Sequence, residues 1–275
     1  MAINNVWPEY FKNNHEGLGT TYERFILHGY FEKMKIEYNI KNVLEAPSFG
    51  MTGISGINSM WWAAKNVPVT ITDFDKERIL KIKEVWRQTS LDVNIEHCLD
   101  NVKMLPFADK AFDLSWNFAA LWYIPKLDNF LGELSRVSRK VIFICIPNRA
   151  NVFCKMRMKG ARKEGIPYPE HIDANKIKSF LKSLGWNLQK QGYLDTPWWP
   201  DIAMKKEELL AKIGINPKPD SLEQNDCLCI LDYFTGKNPQ LEVEIMKHSW
   251  LENSPYLIRK LWAHHQYLIF APKEL

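Results

Sequence analysis

The sequence predicts an α/β fold, with a doubly wound, mostly parallel sheet of seven strands and a helical cap insertion. Short apolar runs alternate with segments of helical periodicity between Asn42 and Pro147, as in parallel strands joined by helices. From Asp195 to His264 the apolar spacing is helical, and an apolar run at 267–270 predicts a strand that returns to the sheet. The predicted parts are an N-terminal helical segment at 1–40, an α/β core at 41–194 and 265–275, and the cap at 195–264.

Each strand is predicted from a short run rich in β-branched, aliphatic or aromatic residues. The seven runs are Val43–Ala46, Val67–Asp73, Val93–Cys98, Phe112–Trp116, Val141–Ile146, Trp186–Leu194 and Tyr267–Phe270. The helices between them are predicted from apolar residues at helical spacing, for example Ile79, Ile82 and Trp86. A helix is predicted at Ile172–Leu184 with Asp173 as its N-cap, because an aspartate side chain accepts the unpaired N–H groups of a first helical turn.

Composition restricts the class of protein. The chain has 275 residues, 46% apolar and 25% charged, with a formal net charge of +4, which is typical of a globular protein and too mildly basic to indicate nucleic acid. Its five cysteines show neither C-x-x-C spacing nor a nearby pair of histidines, so neither a disulfide framework nor a metal site is expected. The sequence shows no secretory leader and no apolar stretch of about 18 residues, so we expect a cytoplasmic protein without a membrane span.

The most informative segment is Val43–Gly53, in which a strand leads into a turn that contains Gly50 and Gly53. Glycine allows a ligand to approach the backbone, and the helix N-terminus beyond it offers unpaired N–H groups. Asp73 ends the next strand, where nucleoside-binding α/β folds place an acid on the ribose hydroxyls. Structural interpretations of both features stay open. A glycine turn of this kind also serves packing, and Asp73 or Asp75 could cap the next helix. For Asp75 we predict the cap.

The region Asn42–Leu194 resembles the class I S-adenosylmethionine-dependent methyltransferases of the small-molecule, type 11-like kind. Val43–Gly53 is similar to their first motif, Val69–Asp75 to their second, and Leu134–Phe143 to their helix and fifth strand. The run Leu99–Asp113, which contains Leu-Pro-Phe, is the most specific and is similar to their adenine-side loop and following strand. The resemblance implies a Rossmann-like sheet with an antiparallel last strand, and S-adenosylmethionine as the cofactor.

The resemblance also implies roles for single residues. Glu45 would be the acid that ends the first strand, and Asn101 or Asp100 would meet the adenine amino group. Tyr22 lies in an aromatic segment that in such relatives folds over the cofactor as a lid, where it would contact the methionine moiety; a helix packed on the sheet is the equal alternative. The residues expected to bind the cofactor are Tyr22, Glu45, Ala46, Pro47, Gly50, Gly53, Asp73, Phe74, Asp100, Asn101 and Asn117.

The glycine turn departs from the family pattern, and the departure keeps two other functions open. The family's first motif usually carries three close glycines, whereas this turn contains Pro47 and Phe49 and is longer. A catalytically degenerate, methyltransferase-like binding protein is therefore one alternative. A nicotinamide-dependent oxidoreductase shares the strand, turn and acid, but it expects G-x-G-x-x-G, which this turn does not supply.

The acceptor site is predicted from aromatic and titratable residues. Aromatic faces suit a sulfonium or ammonium cation, although the same rings could pack in the core or cap. The expected wall residues are Trp122, Tyr123, Trp198 and Trp199. His171 is the candidate general base, with a helix-start hydrogen bond as its alternative role. Ser115–Ala119 lacks the Asn/Asp-Pro-Pro-Tyr of base-modifying relatives, so we expect a small-molecule acceptor and not DNA. The oligomeric state stays open.

Overall fold

The structure is a computed structural model that describes residues 7–13, 16–49, 53–98, 104–158, 160–163, 165–197 and 229–273. All seven predicted strands are present. They are β1 (Val43–Glu45), β2 (Val69–Asp73), β3 (Asn94–His97), β4 (Phe112–Phe118), β5 (Ser138–Pro147), β6 (Trp186–Leu194) and β7 (His265–Pro272). The predicted bounds of β6 agree residue for residue. β5 begins earlier than predicted, at Ser138, because Arg139 and Lys140 are held beside β4 by ion pairs to Asp113.

The strands form one sheet in the order β3-β2-β1-β4-β5-β7-β6. Neighbouring strands from β3 to β5 run parallel, and β7 runs antiparallel to both β5 and β6. This arrangement confirms the predicted α/β class, the mostly parallel sheet and its antiparallel last strand. The chain order reverses between β1 and β4, and ligands of open α/β sheets bind beyond the carboxyl ends of strands at such a switch point.

Helices cover both faces of the sheet. They are α1 (Trp7–Asn13), α2 (Leu18–Glu37), α3 (Met60–Ala64), α4 (Lys76–Trp86), α5 (Leu127–Val137), α6 (Val152–Met158), α7 (Ala174–Ser183), α8 (Ile230–Phe234), α9 (Leu241–Met246) and α10 (Tyr256–Trp262). Alternate strand residues enter two separate apolar clusters: Val43 and Phe143 pack with α2, α3 and α4, whereas Leu44 and Ile142 pack with α5 and α7. Side chains alternate between the faces of a strand, so both faces are apolar and both are covered.

Two helix caps agree with the sequence. Asp173 accepts from the backbone N–H groups of Asn175 and Lys176 at the start of α7, and Asp75 caps α4 in the same way. These caps depend only on neighbouring residues, which explains why the sequence could predict them.

The N-terminal helix α2 belongs to the core. Phe25, Leu27, Phe31 and Met34 are buried, and the ring centroid of Phe31 lies 4.9 Å from that of Trp116 in β4. Of the two alternatives for this segment, the described residues therefore show the packed helix. A lid movement of residues 1–40 stays a prediction.

The described part of the predicted cap, 195–197 and 229–264, is mainly helical. Ile230, Leu241 and Ile245 lie in the same apolar cluster as α2, so α8 and α9 pack on that helix. The extension of the cap across 198–228 lies outside the described residues. Within the described ranges, none of the helices combines the length and the apolar character that crossing a bilayer requires.

Candidate active site

A small polar cavity lies beyond the carboxyl ends of β1 and β4, beside the switch point. Its volume is about 20 Å³. Side chains from α2, the ends of three strands and the turn after β1 meet there. The lining includes Glu23, Arg24, Glu45, Ser48, Phe118 and His265. Glu45 is thus a predicted residue that reaches the cavity, whereas the α2 and β7 residues were not predicted.

Glu45 ends β1 in a buried position with 2% exposure. Its Oε2 accepts a hydrogen bond of 2.6 Å from the Ser59 hydroxyl. Burial raises the pKa of Glu45 to about 8, against the opposing influence of the Ser59 hydrogen bond and of the Arg24 charge. The carboxyl can therefore hold or release a proton near neutral pH.

A second carboxylate, from Glu16, lies against the glycine turn. Arg24 Nε donates to Glu16 Oε2 at 2.6 Å, its Nη2 donates to Oε1, and the backbone N–H of Ile54 donates to the same Oε1 at 2.6 Å. Gly53 has φ +76°, and a Cβ built on it would lie 2.5 Å from Glu16 Oε1. Only glycine permits this close approach of backbone to carboxylate. The turn thus forms a cradle that binds a carboxylate with a guanidinium and a backbone N–H.

Asp73 ends β2 at the predicted position, and its carboxylate is engaged by the protein. Arg78 donates to it from Nε at 2.9 Å and from Nη2 at 2.5 Å, and the Ser48 hydroxyl donates at 2.5 Å. The Arg78 guanidinium lies 4.1 Å from the ring centroid of Phe49 and 5.0 Å from that of Phe74. The predicted ribose ligand is therefore an ion pair enclosed by aromatic rings in this structure.

The other predicted cofactor residues near the turn occupy varied positions. Ala46 and Pro47 are buried, and the Ala46 N–H donates to the Trp116 carbonyl at 2.9 Å. Phe74 is 40% exposed. Asn117 in β4 is fully buried, and neither its amide nitrogen nor its oxygen has a hydrogen-bond partner among the described residues.

Tyr22 is buried on α2 and points toward the cap segment. Its hydroxyl donates to Glu252 Oε1 at 3.0 Å, and the backbone N–H of Thr196 donates to the same oxygen. Burial and the Glu252 carboxyl raise the pKa of Tyr22, and burial raises the pKa of Glu252 to about 7. The contact of Tyr22 with a cofactor stays a prediction, and in the structure the residue joins α2 to the cap.

A buried cluster of acids and histidines lies where β6 ends and β7 begins. Asp195 follows β6, and its Oδ2 lies 2.8 Å from His264 Nδ1 and 3.4 Å from His265 Nδ1. Glu23 Oε2 on α2 lies 3.7 Å from the same nitrogen of His265. Burial opposes ionisation of Asp195, yet the two histidines together lower its pKa to about 2. We refer to Glu23, Asp195 and His265 as the acid–histidine cluster.

The structure does not bring His171 to this cavity. His171 Nδ1 lies 2.9 Å from the Ile124 carbonyl oxygen, and its ring stacks on Tyr168. It lines a separate surface groove of about 380 Å³ beside the start of α5. This bond joins His171 to the segment before α5 and is not at the start of a helix, so both roles considered for His171 stay predictions. Trp122 and Tyr123 pack in the apolar cluster of that same face, and neither is among the residues that line the cavity.

Several predicted site residues lie outside the described residues. They are Gly50, Asp100, Asn101, Trp198 and Trp199. Their assignment to cofactor or acceptor therefore stays a prediction.

The sequence did not reveal Glu16, Arg24, Arg78 or the acid–histidine cluster. Charged residues within the apolar, helical segment at 20–27 were the one available signal, since buried charges need partners. The partners themselves are far apart in sequence, and only the folded chain places Glu23 next to His265.

Comparisons with known proteins agree with the fold. A family model described as a methyltransferase domain matches residues 51–144, from the glycine turn into β5. A candidate sarcosine dimethylglycine methyltransferase from Galdieria sulphuraria superimposes with a TM-score of 0.54 at 11% identity, over 89% of this chain and 84% of that chain. The MccD protein superimposes with a TM-score of 0.53 at 14% identity, over 90% of this chain and 96% of that chain.

An S-adenosylmethionine-dependent methyltransferase from Archaeoglobus fulgidus gives a TM-score of 0.52 at 13% identity, over 91% of this chain and 94% of that chain. No curated protein sequence matches the chain significantly. At these identities the solved structures show the fold alone, and the family model matches a methyltransferase domain over residues 51–144.

Proposed function

We propose that this chain transfers a methyl group from S-adenosylmethionine to a small-molecule acceptor. The premise is its class I methyltransferase fold and the matched methyltransferase domain. The observation that carries the proposal is the cavity at the β1/β4 switch point, where Glu45 and the glycine turn lie within the matched fold. The free thiols of the described cysteines fit the reducing cytoplasm, where we place the protein.

The carboxylate cradle fits one end of this cofactor. The methionine part of S-adenosylmethionine ends in a carboxylate, the same group that Arg24 and the Ile54 N–H bind in Glu16. Guanidinium and backbone N–H donors recognise any carboxylate of suitable position. We therefore propose that the cofactor carboxylate displaces Glu16 and takes over its partners.

The ribose end requires a second exchange. Asp73 would accept from ribose hydroxyls only after giving up bonds to Ser48 or Arg78, since both of its oxygens are engaged. Asn101 or Asp100 remains our proposal for the adenine contact. In both exchanges, at Glu16 and at Asp73, a bond within the protein is replaced by an equivalent bond to the cofactor. We therefore propose that these internal bonds open when the cofactor binds.

When bound, the cofactor supplies a methyl group on a sulfonium, which is already a good leaving group. The chain then has to orient the acceptor and exclude water. Glu45, with its pKa raised by burial to about 8, can hold a proton at the cavity wall. Trp198 and Trp199 stay our proposal for the acceptor wall, together with Trp122 and Tyr123. His171 stays a candidate base only for an acceptor that reaches its surface groove.

One observation favours a second function, that of a methyltransferase-like binding protein without catalysis. Glu16 fills the carboxylate cradle and Arg78 binds Asp73, so the chain provides internal partners at both places where a cofactor would bind. In a degenerate member these ion pairs would be permanent structural contacts.

Calorimetry with S-adenosylhomocysteine, S-adenosylmethionine and NADH distinguishes the functions. We expect both sulfur nucleosides to bind with micromolar or tighter dissociation constants, and NADH not to bind. Incubation with methyl-labelled S-adenosylmethionine and a small-molecule extract then tests transfer. Binding without any labelled product supports the degenerate protein. Binding of NADH alone would refute the methyltransferase assignment.

A further inference from the structure

We propose that the acid–histidine cluster is a binding site for one divalent transition-metal ion. Glu23, Asp195 and His265 each offer a ligand atom, and these atoms lie within 4.8 Å of one another. They come from α2, from the turn after β6 and from the first residue of β7. All three residues are buried, with 7%, 2% and 5% exposure respectively.

The separations of the donor atoms suit a shared ion. Zinc-type ions bind nitrogen and oxygen at about 2.0–2.2 Å, so donors in neighbouring positions lie about 3.0–3.5 Å apart. His265 Nδ1 lies 3.4 Å from Asp195 Oδ2 and 3.7 Å from Glu23 Oε2. Side-chain shifts of a few tenths of an ångström would complete the coordination.

Asp195 gives a second, independent indication of a ligand. Its Oδ2 is oriented by His264 at 2.8 Å, but its Oδ1 is buried and has no hydrogen-bond partner among the described residues. A buried carboxylate oxygen without a partner is costly, and a cation bound by both oxygens of Asp195 would remove that cost. His264 would then serve as a positioning residue, because a hydrogen bond to a ligating carboxylate fixes its orientation.

The charge of the cluster also favours a divalent cation. Glu23 and Asp195 place two carboxyl groups within 4.8 Å of each other in the interior, and a histidine that binds a metal does so in its neutral form, so the ion itself would supply the positive charge. Buried charges of one sign are stable when they are paired or coordinate a metal. An imidazole with two carboxylates suits zinc, manganese or iron rather than calcium.

The ion would border the cavity, since Glu23 and His265 are also among its lining residues. Three protein ligands leave at least one coordination position for water or another ligand. If the proposed methyl transfer is correct, that position would hold an oxygen or nitrogen of the acceptor. Metal binding itself does not depend on that function.

The test is calorimetry of tag-free, EDTA-dialysed protein with Zn²⁺, and absorption spectroscopy with Co²⁺, both without S-adenosylmethionine. We expect one ion per chain, a higher melting temperature on binding, and loss of binding in His265→Gln and Glu23→Gln. His264→Ala should weaken binding about 10–100-fold. His248→Ala removes a histidine outside the cluster and should bind as the wild type does.

Two results would overturn the proposal. One is the absence of stoichiometric binding to the wild-type protein, which needs no variant and so does not depend on how the variants fold. The other is unchanged affinity in both ligand variants when circular dichroism shows them folded. A wild-type protein that binds Zn²⁺ but not S-adenosylhomocysteine would leave the metal site intact and refute the proposed function.

Discussion

Glu45 and Asp73 end neighbouring parallel strands and are both buried, but their partners differ. Glu45 is hydrogen-bonded to the neutral hydroxyl of Ser59, and burial raises its pKa to about 8. Asp73 is bound through two nitrogens by the Arg78 guanidinium. Two acids in equivalent topological positions thus act in different ways: one can exchange a proton near neutral pH, and the other anchors an ion pair. The partner that the fold supplies decides the chemistry of each carboxyl group.

The largest expected effect comes from removal of the Asp73 carboxylate. Asp73→Ala leaves Arg78 buried without its main partner, which should lower the free energy of unfolding by about 3–5 kcal/mol. Urea unfolding measures the change. The double variant Asp73→Ala/Arg78→Met should recover much of the loss, because it removes the unpaired charge. If the single variant were as stable as the wild type, Asp73 would not depend on the ion pair and would be available to a ligand.

The next effect is a pH dependence that originates at Glu45. The folded protein holds the proton up to about pH 8, whereas the unfolded chain releases it near 4.5. The contribution of Glu45 to the free energy of unfolding is therefore fully present below the unfolded pKa. It is lost as the pH rises to the folded pKa, with a slope of up to about 1.4 kcal/mol per pH unit.

Glu45→Gln should remove this slope, so the variant should be more stable than the wild type near pH 8. Urea titrations across this range measure the difference between the two proteins. Glu252, whose pKa is raised to about 7, adds a slope of the same sign to both and cancels in the comparison. Parallel curves for the two proteins would mean that Glu45 is ionised throughout.

A smaller effect is expected at the carboxylate cradle. Glu16→Gln weakens the internal partner of Arg24, so S-adenosylhomocysteine should bind more tightly by about 1 kcal/mol, since less of the protein is held in the closed state. Calorimetry measures the affinity. Glu9→Gln, in an exposed ion pair with Lys12, is the matched control and should change nothing. Weaker binding in Glu16→Gln would indicate that Glu16 supports the cofactor rather than competes with it.

An effect of similar size is expected at Ser59. Ser59→Ala removes the hydrogen bond that lowers the pKa of Glu45, so the pH at which stability stops falling should move upward. The cost at neutral pH should be about 1 kcal/mol, the usual value for one buried hydrogen bond. Thermal melts at several pH values measure both changes. A downward shift would contradict the assigned role of the hydroxyl.

The sequence predicted features that depend on neighbouring residues. The bounds of β6 agree with the structure, and Asp173 and Asp75 cap the predicted helices, because periodicity and capping are local properties. Glu45 was expected at the cofactor site through the resemblance of Val43–Gly53 to the first motif of the family, whereas the predicted strand ran on to Ala46. Asp73 was placed at the end of β2 because the end of a strand is visible in the apolar pattern, but its pairing with Arg78 requires the backbone to turn into a helix and was not predicted.

The sequence by itself determined the α/β class, the seven strands and the position of Asp73 at the end of a strand, because each follows from local periodicity, whereas the role of Glu45 came from the family resemblance. Only the tertiary structure decided which side chains meet at the cavity. Glu23 and His265 are 242 positions apart in the sequence (265 − 23) and adjacent in space. Burial and partner charge set the properties of such groups, and both arise only when the chain is folded.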